Sequence, residues 1–268
     1  MNHLLRDLAP ITDRGWELLE EEARQQLVVS LAARKLVDFS GPHGWERSAT
    51  NLGRTEPLPS TPVQGVDGRR RRVLELVEAR ASFSVSRAEL EAADRGAEDV
   101  DLDALDEAAR RIALVENTAV FNGWADAAIT GIAGASPHQA IPLTDDMNAC
   151  PRHVAEAVEV LLSNGIEGPY GLALGPTVYR RVIETTEHGG YPLFDHLRKI
   201  VGGPLVWAPG VDGGVVVSLR GGDFLLECGE DLAIGYHDHD ADAVHLYLVE
   251  TFSFRVATPE AVVALPAG

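Results

Sequence analysis

The sequence predicts an α+β fold. Three observations carry that prediction. Two long stretches repeat apolar residues at helical spacing, one short segment alternates apolar residues strictly with serines, and the last third places large apolar residues at every second position. The chain has 268 residues, enough for one large domain or two ordinary ones. With 45% apolar and 24% charged residues, it has the composition of a chain that buries a core.

The first helical stretch begins at Thr12, a suitable N-cap, with Pro10 just upstream. Trp16, Leu19, Ala23, Leu27, Leu31 and Arg34 recur at steps of three or four, which predicts one helix to about Val37. Arg34 and Asp38 then read as an i,i+4 pair at the helix exit. Residues 40–72 are rich in Gly, Pro, Ser and Thr and lack apolar periodicity, so they read as a functional loop or arm. Four consecutive arginines, Arg69, Arg70, Arg71 and Arg72, end the arm. Ala81, Phe83 and Val85 alternate with Ser82, Ser84 and Ser86 in a half-buried strand.

The acidic segment 94–107 leads into the second helical pattern, and its aspartates favour the positive helix N-terminus. A helix over residues 101–127 would be about 40 Å long. A second unit follows the small-residue stretch 131–137. In it, Pro151 suits the first turn of a helix ending near Gly165. A strand at 172–174, helices at about 176–186 and up to 200, and strands near 204–207 and 215–219 come next. In the final strand Leu246, Leu248, Phe252, Phe254 and Val256 share one face, and Tyr247, Val249, Thr251 and Arg255 the other.

The net charge of −18 disfavours binding to phosphate backbones and anionic lipid. No run has the length of a membrane span, and the N-terminus has no apolar stretch of the kind a signal peptide carries. Two cysteines, Cys150 and Cys228, without a CxxC pair fit a reducing cytoplasm and no zinc scaffold. Cys228 reads as a small buried hydrophobe. His237-Asp238-His239-Asp240 is the most metal-like run, but it reads as a polar turn between strands, and no metal site is expected. Glu187-His188 beside Gly189-Gly190 is a titratable turn. GxSxG, GxGxxG after a strand, P-loop and HExxH patterns are all missing, so no catalytic residue is assigned and no enzyme is expected. The basic arm and the acidic 94–107 segment complement one another. Placed on different copies, they make a heterologous contact, the kind that closes into rings or shells.

Several segments together resemble the encapsulins, bacterial nanocompartment shell proteins also called the linocin or maritimacin family. They are RDLAPITDRGWELLEEEA (6–23), ARKLVDFSGPHGWE (33–46), DRGAEDVDLDALDEAA (94–109), NGIEGPYGLALG (164–175), GGYPLF (189–194), RGGDFLLECGEDLAIGYHDHDADAVHLYLVETFSFRV (220–256) and PEAVVAL (259–265). The resemblance implies the tailed-bacteriophage major capsid protein fold. Its parts would be a P-domain (1–46, 75–133 with the spine helix, and 223–257), an E-loop (47–74) and an A-domain (134–222, with 258–268 returning to it).

It also implies a closed icosahedral shell, favouring sixty copies, in the cytoplasm. The shell would enclose a cargo enzyme held by a C-terminal targeting peptide. Dye-decolorising peroxidase is the first expectation for cargo and a ferritin-like iron-oxidising protein the second. The cargo-peptide groove would comprise Leu27, Leu31, Arg34, Asp38, Asp231, Leu232 and Ile234, so that replacing Arg34 and Asp38 with alanine should spare the shell and weaken loading. Glu184, Glu187, His188, Gly189, Gly190 and Tyr191 would form the five-fold pore loop, and Arg69–Arg72 would make inter-subunit contacts. Some family members bind flavin on a tryptophan where this chain has Ala88, so no tightly held flavin or other cofactor is expected. The alternatives are a bacteriocin or protease-like secreted protein and a true phage capsid protein.

Overall fold

In the computed structural model, which describes residues 3–187 and 189–268, the Thr12 hydroxyl accepts a hydrogen bond from the Gly15 N–H at 3.1 Å. This caps helix α1 (Asp13–Ser30). Trp16, Leu19, Ala23 and Leu27 form its buried stripe, as their spacing predicts. The helix stops seven residues before Val37, and Asn117 is the cause. This fully buried side chain accepts from the Ala32 and Ala33 N–H groups at 3.0 Å each and donates to the Ser30 carbonyl at 2.8 Å. Backbone groups freed by breaking the helix are thereby satisfied. The chain turns through a 3₁₀ turn at Ala33–Lys35 into strand β1 (Asp38–Ser40). Arg34 therefore lies on this turn and not on the α1 stripe.

The loop expected at 40–72 is largely a two-stranded antiparallel ribbon, β2 (Ala49–Pro57) with β3 (Arg69–Glu75). Its strands pair through the backbone while most side chains beyond the root remain exposed, so apolar alternation could not reveal them. At the ribbon's root Arg47 donates to Glu227 at 2.7 Å, and Thr50 bonds Ser253 at 2.8 Å. Strand β4 (Val77–Ser86) buries Ala79, Ala81, Phe83 and Val85 and exposes the serines between them.

Helix α2 (Arg87–Asp94) precedes the long helix α3 (Asp103–Phe121). At 19 residues α3 is about 28 Å long, shorter than the predicted span. Its N-terminus is set by Asp101, which accepts from the Asp103 N–H at 3.1 Å. Its C-terminus is set by Gly123 at φ +95°, which starts the small ladder β5 (Gly123–Trp124) with β6 (Ile129–Thr130). A Cβ on Gly131 would come within 2.2 Å of the Gly123 nitrogen, so the two backbones can pass only as glycines.

The second unit contains the short helix α4 (Ile132–Ala135), α5 (Cys150–Ser163), β7 (Tyr170–Leu174), α6 (Pro176–Glu184), α7 (Leu193–Val201), β8 (Leu205–Trp207) and β9 (Gly214–Ser218). The chain then returns to the first unit with β10 (Phe224–Cys228), β11 (Ala233–His239) and β12 (Ala243–Val256), and ends in β13 (Val262–Leu265). The larger sheet is organised by β12, which pairs with β4 along one edge and with β11 and then β10 along the other. Strand β1 adds in parallel to β10. The smaller sheet has the order β13-β9-β7-β8, so the C-terminal strand closes the second unit.

Both faces of β12 are covered. Leu246, Leu248, Phe252 and Phe254 enter the main core with α1 and α3, while Tyr247 and Val249 pack with Leu4 and Trp45. The main core continues without interruption into the second unit.

Replacing Asn117 with alanine leaves two buried N–H groups and one buried carbonyl unpaired. The expected cost is roughly 3 kcal/mol or more, read as a shifted midpoint in chemical denaturation. A shift below about 1 kcal/mol would remove Asn117 as the cause of the turn.

Candidate functional site: a groove beside a buried ion cluster

Because α1 ends at Ser30, the following turn carries Leu31 and Arg34 across toward the larger sheet. There they meet the segment entering β11. Ala23, Leu27, Val28, Leu31, Leu232, Ala233, Ile234 and Leu248 line an open groove of about 480 Å³, rimmed by Arg6, Glu20, Arg24, Arg34 and Asp231. Val28 stands 64% exposed at its edge. The groove thus pairs an apolar floor with charges of both signs, suited to an extended apolar peptide segment with polar ends.

Of the groove residues expected from the sequence, Leu27, Leu31, Arg34, Asp231, Leu232 and Ile234 converge here. Asp38 does not. It lies on β1, accepts from the Gly222 N–H at 2.6 Å and lines a separate small cavity with Lys35, Leu219 and Phe224. The expected Arg34–Asp38 pair is absent from the salt bridges of Arg34, because residue 38 starts a strand and the helical i,i+4 spacing no longer applies.

Arg34 is instead held by three carboxylates from three other elements. Its Nε donates to Glu116 on α3 at 2.7 Å, Nη1 to Asp231 at 2.8 Å and Nη2 to Glu250 on β12 at 2.6 Å. The guanidinium also lies 4.4 Å from the centre of the Phe39 ring. Glu116 and Glu250 are both 0% exposed. Burial, followed by the charge of Glu116, pushes the Glu250 carboxyl well above its ordinary range, and Arg34 only partly opposes this. The nearby Cys228 thiol is also raised, first by burial and then by Glu250 and Asp231, so it is no nucleophile at neutral pH.

Neither glutamate was singled out from the sequence, although a signal existed. Glu116 falls in phase with buried Ile112 and Val120, and Glu250 with Leu248 and Phe252. A charged residue on an apolar stripe is either paired or protonated.

The Arg69–Arg72 stretch lies exposed on β3, where Arg70 approaches Glu56 of β2 at 3.3 Å. Glu184 ends α6, exposed. In the loop that follows, the Glu187 carboxylate and His196 Nδ1 are 2.8 Å apart, and Tyr191 packs against Lys199 at 4.8 Å. Gly189 and Gly190 take positive φ, and Gly190 N–H donates to the Glu187 carbonyl at 2.9 Å. His188 lies outside the described residues. The run expected as a polar turn is only partly one: His237, Asp238 and His239 end strand β11, and Asp240 alone of the four turns the chain toward β12 by accepting from the Asp242 and Ala243 N–H groups. Ala88 lies in the first turn of α2.

A sheet crossed by a spine helix, an extended two-stranded arm and a second α/β unit define a class: capsid-type shell proteins. Solved structures of that class are similar in fold. The virus-like particle of Pyrococcus furiosus matches with a TM-score of 0.62 at 18% identity, over 91% of this chain and 98% of that one. The Gordonia phage Cozz structure matches at 0.55 and 11% identity, over 89% and 86%. The family model described as "Encapsulating protein for peroxidase" matches residues 1–253, and the chain belongs to this family of encapsulin shell proteins. The type 1 encapsulin shell protein of Rhodospirillum rubrum is 52% identical over 270 residues, covering 99% of this chain and 96% of the relative. A more distant relative from Kuenenia stuttgartiensis, 24% identical over 72% of this chain and 56% of its own length, is named a diheme-cytochrome–encapsulin shell fusion protein. These relatives are named for a shell, a structural role and not a catalytic one.

Arg34→Ala would strand Glu116 and Glu250 without a cation. From the sequence, an intact shell is expected when Arg34 and Asp38 are both changed; the buried glutamates lead instead to an expected cost of about 3–5 kcal/mol for Arg34→Ala alone, seen as lost soluble yield and a lower melting temperature. Asp38→Ala should leave cargo loading unchanged in a co-purification assay, since its side chain does not line the groove.

Proposed function

We propose that this chain assembles into a closed icosahedral shell of about sixty copies in the cytoplasm. In this reading the shell holds a cargo enzyme by seating its C-terminal targeting peptide in the groove between α1 and β11. The single observation that carries the reading is the convergence of Leu27, Leu31, Leu232 and Ile234, from sequence positions some two hundred residues apart, into one open apolar trough, floored by buried Leu27 and Ile234 and edged by exposed Val28. A monomer gains nothing by leaving such a trough open, whereas a short extended segment buries it with its own alternate side chains.

The family description favours a peroxidase as cargo. A dye-decolorising peroxidase is the first choice and a ferritin-like iron-oxidising protein the second. The shell fusions among distant relatives are consistent with a wall that receives varied redox partners.

The arm supports assembly in the same reading. Beyond their root, strands β2 and β3 are largely exposed and present Arg69–Arg72, which supports burial of the arm by a neighbour. The acidic residues before and at the start of α3 offer the complementary charge. Five copies of the loop Glu184–Tyr191 would rim a pore, with Glu187 held back by His196 and the local field raised by repetition.

Two experiments test this. Leu31→Asp together with Leu232→Asp should leave closed particles in negative-stain micrographs while lowering co-purified peroxidase about tenfold or more; full loading would reject the groove. Removing residues 47–74 should abolish particles, and shells of normal diameter would show that the arm is dispensable.

A further inference from the structure

Directly beside the groove lies a charge imbalance that the shell reading leaves unused. Three carboxylates, Glu116, Glu250 and Asp231, make their ion pairs with one cation, Arg34. Glu116 and Glu250 are wholly buried, and each has a second oxygen, Oε1 of Glu116 and Oε2 of Glu250, with no hydrogen-bond donor among the described residues. Two adjacent buried carboxylates cannot both hold full charge with donorless oxygens. A single proton between them supplies a donor to one and an acceptor to the other, and lowers the net charge of the cluster from −2 to −1.

We propose that Glu116 and Glu250 share one proton, and that this proton keeps Arg34 and Asp231 joined in the groove wall, so that alkaline pH loosens the groove. The cluster joins four elements. Arg34 comes from the turn after α1, Glu116 from α3, Glu250 from β12, and Asp231 from the segment entering β11. From β10, Cys228 brings its Sγ within 4.8 Å of carboxylate oxygens of Asp231 and Glu250, and its thiol donates to the Glu230 carbonyl at 3.1 Å. The Phe39 ring of β1 lies against the guanidinium.

Losing the proton leaves the two buried glutamates as facing anions. The Arg34–Asp231 contact is the one that yields, because Asp231 is the solvent-facing member of the set. Asp231 and Arg34 both line the groove, so its wall moves with them.

The sign follows from linkage. The folded state raises the Glu250 carboxyl and holds a proton that the unfolded chain releases in the ordinary carboxylate range. Stability therefore falls as pH rises above that range toward the raised value, and the loss is complete above it. This inference rests on the cargo reading only for its consequence for cargo; the pH dependence itself belongs to the cluster.

The test uses assembled, cargo-free shells of the natural chain and of Glu250→Gln, whose amide stands in for the protonated carboxyl. Melting temperature and amide hydrogen exchange of residues 31–37 are compared between the two proteins at pH 6 and again at pH 9.5. The natural shell should lose several degrees more than the variant between the two pH values. At pH 9.5 its 31–37 amides should exchange about fivefold faster than the variant's, with little difference at pH 6.

Parallel curves for the two proteins would overturn the proposal. So would a fall in melting temperature on adding EDTA at pH 6, which would place a metal ion among Cys228, Asp231 and Glu250. If Glu250→Gln does not assemble, Glu116→Gln gives the same readout from the other side. Failure of both neutral isosteres also overturns it. Shells that never load peroxidase at pH 6 would defeat the cargo reading and leave this pH dependence standing.

Discussion

The interaction on which the rest of the structure depends is the seating of Arg34 among Glu116, Glu250 and Asp231. It fastens the end of the first helix to the spine helix and to the central strand of the larger sheet at one point. Asn117, the residue after Glu116, satisfies the backbone where the chain leaves α1. One turn of α3 therefore both breaks the N-terminal helix and binds the side chain that follows the break. The groove exists because the helix stops there. A helix running on to Val37 would carry Leu31 and Arg34 past β11 and leave no trough.

The cluster is costly as well as organising. Burying carboxylates requires every oxygen to find a partner, and one guanidinium offers too few donors for three of them. The same shortage appears in milder form where α1 crosses α3 near Glu22 and Asp106. There Gln26 bridges the two carboxylates, and the Asp106 carboxyl is pushed up to about 6, by burial first and by Glu22 second. A chain of charge −18 concentrates acids even in its interior contacts, so its stability is tied to pH through protons held between carboxylates as well as through salt bridges.

What was legible in the sequence was what periodicity can express. Trp16 to Leu27 and Ala81 to Val85 repeat with the period of their element, and each stripe is buried. The arm's strands were hidden because their pairing is made by backbone groups, with burial confined largely to Thr50 at the root. The end of α1 was hidden because its cause, Asn117, is distant in sequence and looks like any polar helix residue. The groove residues were reached through a family resemblance. Of these, Asp38 failed because i,i+4 spacing has meaning only inside a helix. Glu116 and Glu250 were missed for the opposite reason: a glutamate on an apolar stripe is ordinarily read as noise, when its phase is the signal.

In the proposed function, cargo is held on the shell wall in the trough beside the Arg34 cluster. Electron cryomicroscopy of shells co-expressed with a peroxidase bearing its C-terminal extension tests this most directly. Extended density along Leu27, Leu31, Leu232 and Ile234 in loaded shells, absent from empty ones, is the expected result. Loaded shells with this trough vacant and density on another part of the wall would contradict it.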